Sequence, residues 1–163
     1  MVPPIHGSAG SINNRCKRRG IFINGRIAKV LAAIGGIHDD RSVSSIRVLV
    51  VEDYEPFRRF VCSTLDKIPG LHVVGVASDG LEAVQKAEEL QPDLVLLDIG
   101  LPSLNGIEAG RRIRTLSPKS KIIFVTQESS AELVQEALSL GALGYVVKAR
   151  AGSELLAAME AVL

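Results

Sequence analysis

The sequence predicts an α/β fold, a doubly wound, five-stranded parallel sheet with helices on both faces. Three observations predict it. From residue 46 onward, five short aliphatic runs alternate with five helical patterns. Most of the runs are continuous rather than alternating, as expected for strands covered on both sides. The core must also be aliphatic, because hydrophobic residues make up 47% of the 163 residues, aromatics only 4%, and Trp is absent.

Strands are expected at 46–51, 71–77, 94–97, 122–125 and 143–147. In the first helix, Phe57, Phe60, Val61, Leu65 and Ile68 repeat near i, i+3, i+4, i+8 and i+11, which predicts one buried face. Pro69-Gly70 stops that helix before the second strand. The remaining helices are expected at 81–90, 105–116, 130–140 and 152–163. Gly141 stands where a helix C-terminus belongs, and Ser153 is a candidate cap for the last helix. Right-handed crossovers then favour the flavodoxin-like strand order 2-1-3-4-5. In such sheets, ligands bind at the carboxyl ends of the strands, near the switch point.

Residues 1–45 are a different kind of polymer. Residues 1–44 carry seven Lys/Arg against two Asp/Glu, a net of +5, whereas the rest of the chain carries −4. The segment is rich in Gly, Asn, Ser and Arg and weakly periodic, so a disordered extension is expected. A translation start upstream of the true one, which would then lie at Val43, is one specific version. Export is a weaker alternative, because the apolar run at 28–36 is short, late and contains Lys29, and a basic nucleic-acid arm is another. No apolar run approaches the ~20 residues of a membrane span. Cys16 and Cys62 are expected to be reduced and unpaired. His6, His38 and His72 lack metal-ligand spacing.

The chemistry collects at the strand ends. Strand one ends in Glu52 and Asp53, strand three in Asp98, strand four in Thr126 and strand five in Lys148. Two carboxylates ~4 Å apart repel by roughly 4 kcal/mol at an effective dielectric of 20. One Lys cannot neutralise three acids, but a divalent cation can, and an oxygen-rich site suits Mg²⁺. Any one of these residues could be a helix cap, Asp53 of the first helix among them. Capping does not explain five polar groups at one edge.

The stretches "VLVVEDYEP", "PDLVLLDIGLPSLNG", "IIFVTQ" and "GALGYVVKA" resemble the receiver domain of bacterial two-component response regulators, over residues 46–163. The resemblance implies that Asp98 is the phosphoacceptor. It implies that Glu52 and Asp53 help to hold Mg²⁺, Asp53 as the direct ligand, with the backbone carbonyl of Gly100. Thr126 and Lys148 would bind phosphoryl oxygens, assisted by the N–H groups of Gly100 and Gln127, and Tyr145 would be the switch aromatic. The implied donor is a sensor histidine kinase or phosphotransfer protein, or a small donor such as acetyl phosphate. The implied output is a changed surface at 130–140, 143–147 and 152–163, read by a downstream protein or a homodimer in the cytoplasm.

Several positions depart from the family pattern. Ala149 follows Lys148 where Pro is common, and with "AGSELLAAMEAVL" this resembles receivers that precede LuxR-type DNA-binding domains. The chain ends at Leu163 before any such domain, so a stand-alone receiver and the truncated front of a longer regulator are both expected readings. Direct nucleic-acid binding is not expected. Gln127 replaces a commoner small residue, Gly100 and Glu128 occupy positions that tune phosphoryl lifetime, and Asn105 replaces a frequent Asp. A pseudo-receiver is the alternative function, opposed by the intact site. An aspartate-nucleophile phosphatase would need a second Asp where Gly100 stands, so an enzyme is not expected.

Overall fold

The computed structural model describes residues 45–127 and 130–163. The expected extension (as far as residue 44, with His6, Cys16, His38 and Val43) and Glu128 lie outside the described residues. In chain order the elements are β1 (Ile46–Val51), α1 (Glu55–Leu65), β2 (Leu71–Ala77), α2 (Gly80–Leu90), β3 (Leu94–Asp98), α3 (Gly106–Leu116), β4 (Lys121–Thr126), α4 (Ala131–Ser139), β5 (Gly144–Val147) and α5 (Ala151–Val162). The strands are parallel and run β2-β1-β3-β4-β5, the expected order.

The continuous apolar runs have the expected cause. Successive side chains point to opposite faces of a strand. Val48 and Val50, Leu94 and Leu96, and Ile123 and Val125 enter one cluster with Val61 and Leu65 of α1 and Leu155 and Met159 of α5. Their neighbours Leu49, Val51, Val95, Leu97, Ile122 and Phe124 enter the other, with Ala83, Ala87, Ile107, Ile113 and Ala137 of α2, α3 and α4. Burying each of the Val, Leu, Ile, Met and Phe side chains stabilises by about 1.5–3 kcal/mol. The edge strands β2 and β5 are the least completely covered.

Several helix boundaries have visible causes. The Asp79 side chain accepts from the N–H groups of Leu81 and Glu82, both at 2.9 Å, and Asn105 accepts from Glu108 N–H at 2.9 Å. Gly141 follows α4 with φ +75°, a left-handed position that favours glycine.

Local expectations fail in three places, and one capping alternative is removed. Phe60, placed on the buried face of α1, is 41% exposed. Ile68 lies beyond that helix, which ends at Leu65 before the Pro69-Gly70 turn is reached. Ser153 does not cap α5, because a 3₁₀ turn at Lys148–Arg150 leads straight into the helix and moves its start to Ala151. The Ser153 hydroxyl instead donates to Arg150 O at 3.1 Å. Nor does Asp53 cap α1, whose N-cap is Tyr54, without a side-chain bond.

Candidate functional site

The sheet's carboxyl edge carries every polar group singled out in the sequence. Asp98 is the last residue of β3 and Thr126 the last of β4. Glu52 and Asp53 directly follow β1, and Lys148 directly follows β5. β1 and β4 both pair with β3, so topology alone brings their ends to Asp98. Asp53, Asp98, Gly100, Thr126, Gln127 and Lys148 line one open cleft of about 460 Å³, with Tyr54 and Leu133 among its other walls. Tyr145 lies half-buried on β5, packed against the α2–α3–α4 cluster rather than in the cleft lining.

Lys148 is the hub. Its Nζ lies 2.8 Å from both carboxylate oxygens of Glu52 and donates to Asp98 Oδ2 at 2.9 Å. The three side chains are 10%, 3% and 5% exposed. The Gly100 amide donates to Asp98 Oδ1 at 3.2 Å, and the Tyr54 amide donates to Glu52 at 3.0 Å. Burial raises the Glu52 carboxyl above its ordinary range; Lys148 opposes this and nearby Asp98 adds to it. Burial also works to lower the Lys148 ammonium, but its hydrogen bonds to Glu52 and Asp98 win and hold it above its ordinary range. Lys148 is bonded to two buried anions and stays charged, while burial of Glu52 outweighs its share of that one cation.

A third carboxylate completes the set. One oxygen from each of Glu52, Asp53 and Asp98 lies within 4.8 Å of the others. Adjacent ligands of an octahedral Mg²⁺ stand roughly 2.9 Å apart and opposite ones roughly 4.2 Å, so the group is near enough to share a cation but is wider than a closed coordination shell. Asp53 is exposed, whereas Glu52 is held by Lys148 and the Tyr54 amide. Two carboxylates with water and phosphate oxygens suit Mg²⁺ better than a full protein cage would.

The backbone under Asp98 is held by close packing. A Cβ on Gly106 would run into the Asp98 carbonyl, and the Gly106 amide donates to Ile99 O at 2.9 Å. The first turn of α3 therefore sits directly beneath Asp98. Sequence reading missed three contacts, all from α1 and its start. Arg58 Nη1 donates to Glu52 O at 2.7 Å. The Phe57 ring centroid lies 5.3 Å from Lys148 Nζ. Tyr54 lines the cleft. Phe57 read as core because its helical spacing is equally that of core, and no spacing signal links it to a residue 91 positions later.

Comparison with known proteins is consistent with this arrangement. The response regulator receiver domain matches residues 48–160. The response regulator GacA of Pseudomonas viridiflava is 38% identical over 117 residues, covering 72% of this chain and 55% of GacA. A LuxR-family two-component response regulator from Aurantimonas superposes with TM-score 0.68 at 35% identity, over 72% of this chain and 84% of that one. The response regulator domain of Thermotoga maritima CheB superposes with TM-score 0.66 at 38% identity, over 72% and 96%. This chain spans about half the length, or less, of the curated relatives it matches. Among the described residues no helix is long and apolar enough to cross a membrane. The chain belongs to the response regulator receiver domain family of two-component signalling.

Proposed function

We propose that this receiver accepts a phosphoryl group on Asp98 and thereby switches a partner-binding surface. The observation that carries the reading is Lys148 bridging Glu52 and Asp98 at the floor of a cleft that Asp53, Gly100 and Thr126 also line. The donor is a phosphohistidine on a cytoplasmic sensor kinase or phosphotransfer protein, or acetyl phosphate. One Asp98 oxygen attacks phosphorus as a nucleophile. The new O–P bond forms as the P–N bond of phosphohistidine, or the P–O bond of acetyl phosphate, breaks. The bonding pair leaves with the imidazole, which takes up a proton, or with acetate.

This chain's residues chiefly position and neutralise the transferring group. Lys148 pairs with one phosphoryl oxygen and the Thr126 hydroxyl donates to another. The amides of Gly100 and Gln127 assist. Asp53 and Asp98, with the Gly100 carbonyl, would hold Mg²⁺, which offsets negative charge on the phosphoryl oxygens. Glu52 holds Lys148 in place. Thr126 then moves toward the phosphoryl group and Tyr145 follows, which shifts the population of surfaces presented by α4, β5 and α5 to a downstream protein or a second copy.

Intact mass after incubation with acetyl phosphate and Mg²⁺ tests the reading. The wild type is expected to gain one phosphoryl group, and Asp98→Asn or added chelator none. A folded wild type that gains nothing from acetyl phosphate or from a phosphohistidine donor overturns it in favour of a pseudo-receiver.

A further inference from the structure

Lys148 carries a long, flexible side chain that must place one ammonium among competing anions. The carboxylates of Glu52 and Asp98 pull on it from 2.8 and 2.9 Å. The Phe57 ring stands 5.3 Å from the same nitrogen, measured to its centroid. That is within the ≈6 Å over which an aromatic face attracts a cation, and the attraction grows when water is excluded. The lysine side chain is 10% exposed, so water is largely excluded here. Phe57 is itself fixed, being half-buried against the α1–α5 cluster with its ring centroid 5.8 Å from that of Phe60. The neighbouring Arg58 grips the Glu52 carbonyl, so the same helical turn holds both the lysine and its partner's backbone.

We infer that Phe57 is a positioning residue for Lys148, its ring face fixing where the ammonium stands between Glu52 and Asp98. The inference rests on the phosphoacceptor reading for its consequence. When Asp98 takes the phosphoryl group, the anions around Lys148 rearrange, and the lysine must re-pair with a phosphoryl oxygen. The ring's attraction does not depend on the charge of Asp98. It therefore keeps Nζ near the transferring group throughout the step.

A purely packing role for Phe57 makes a different forecast, and three full-length variants separate the two. Phe57→Tyr keeps the aromatic face. Phe57→Leu keeps apolar bulk without a face. Trifluorophenylalanine at position 57 keeps the ring's shape but weakens the negative potential on its face. In lysine-labelled NMR without Mg²⁺ or donor, the ring-current displacement of the Lys148 ε-methylene signal should survive in Phe57→Tyr and vanish in Phe57→Leu. At saturating Mg²⁺, phosphorylation by acetyl phosphate should slow roughly two- to fivefold in the Leu and trifluoro variants and stay near wild type in Phe57→Tyr. Wild-type rates in the trifluoro variant, or an unmoved lysine signal in Phe57→Leu, would overturn the inference. If the wild type accepts no phosphoryl group, the functional reading falls, and the Lys148 Nζ signal of the trifluoro variant, in which a ring remains in place, decides the inference: a shift from wild type supports it and an unmoved signal overturns it.

Discussion

Two lysine–glutamate pairs of similar length behave in opposite ways. Lys148 and Glu52 meet at 2.8 Å in the site, where their side chains are 10% and 3% exposed. Lys86 and Glu82 meet at 2.6 Å on α2, where theirs are 33% and 35% exposed. The Glu82 carboxyl is held below its ordinary range, chiefly by its bond to Lys86 and then by the Ser78 amide. The Glu52 carboxyl is pushed above it, because burial outweighs the same kind of bond. Distance therefore does not decide what an ion pair contributes; desolvation and the number of anions per cation do. At the carboxyl edge of the sheet one buried cation is thus shared between two acids, whereas on α2 one exposed cation serves a single acid.

The largest test of that contrast removes each cation. Lys148→Ala leaves buried Glu52 and Asp98 without their partner, and should cost roughly 3 kcal/mol of stability in urea unfolding with chelator present. A loss no larger than that of the matching change at Lys86 would mean that burial is not what separates the pairs. Adding Mg²⁺ should then stabilise Lys148→Ala more than wild type, because the variant's carboxylates lack the competing ammonium and binding to the native state adds directly to its stability. Equal gains in the two proteins would remove the acidic cluster as the cation's site.

Acidity gives a smaller and opposite pair of effects. Glu52 has a folded value raised above 4.5, so the native state binds its proton first. Its unfavourable contribution should therefore shrink as pH falls through that raised value toward 4.5. Glu82 has a folded value below 4.5, so its favourable contribution should hold above 4.5 and be lost as pH falls through the lowered value. Stability of wild type minus Glu52→Gln, followed by denaturant unfolding across this range, should rise on acidification. The same difference for Glu82→Gln should fall. Two curves of the same sign would contradict the assignment of opposite shifts.

What the sequence made legible follows from which forces are local. Strand periodicity and turn residues are written in neighbouring positions, so the five runs and their order could be read directly. The site residues could be read because topology brings strand ends together whatever the side chains do, and Asp98 and Thr126 need only end their strands and Lys148 follow its own. Contacts set by side-chain reach were not legible. The 3₁₀ turn after β5 displaced the start of α5 from the expected cap at Ser153. Phe60 obeys helical spacing yet faces outward, while Phe57, one turn earlier, faces the lysine. Spacing assigns a residue to a helix face, but what packs over that face is decided by distant segments.

The smallest effect lies at Lys86, and it is where the contrast can be drawn most finely. Its ammonium bonds both Glu82 and the Val76 carbonyl, so it covers part of the open edge of β2. Replacing it by Met keeps the apolar stem and removes the charge, and should cost less than about 1 kcal/mol, as surface pairs do. Ionic strength then tells the two regions apart. At 1 M salt the Debye length falls to about 3 Å, so most of the Lys86→Met loss should disappear. The Lys148→Ala loss should largely persist, because ions cannot screen a pair that the protein itself surrounds. Unfolding curves of both variants at low and high NaCl make the comparison. If the Lys148 loss also disappears in salt, the site pair behaves as a surface pair, and the stored electrostatic cost assigned to the cleft is not there.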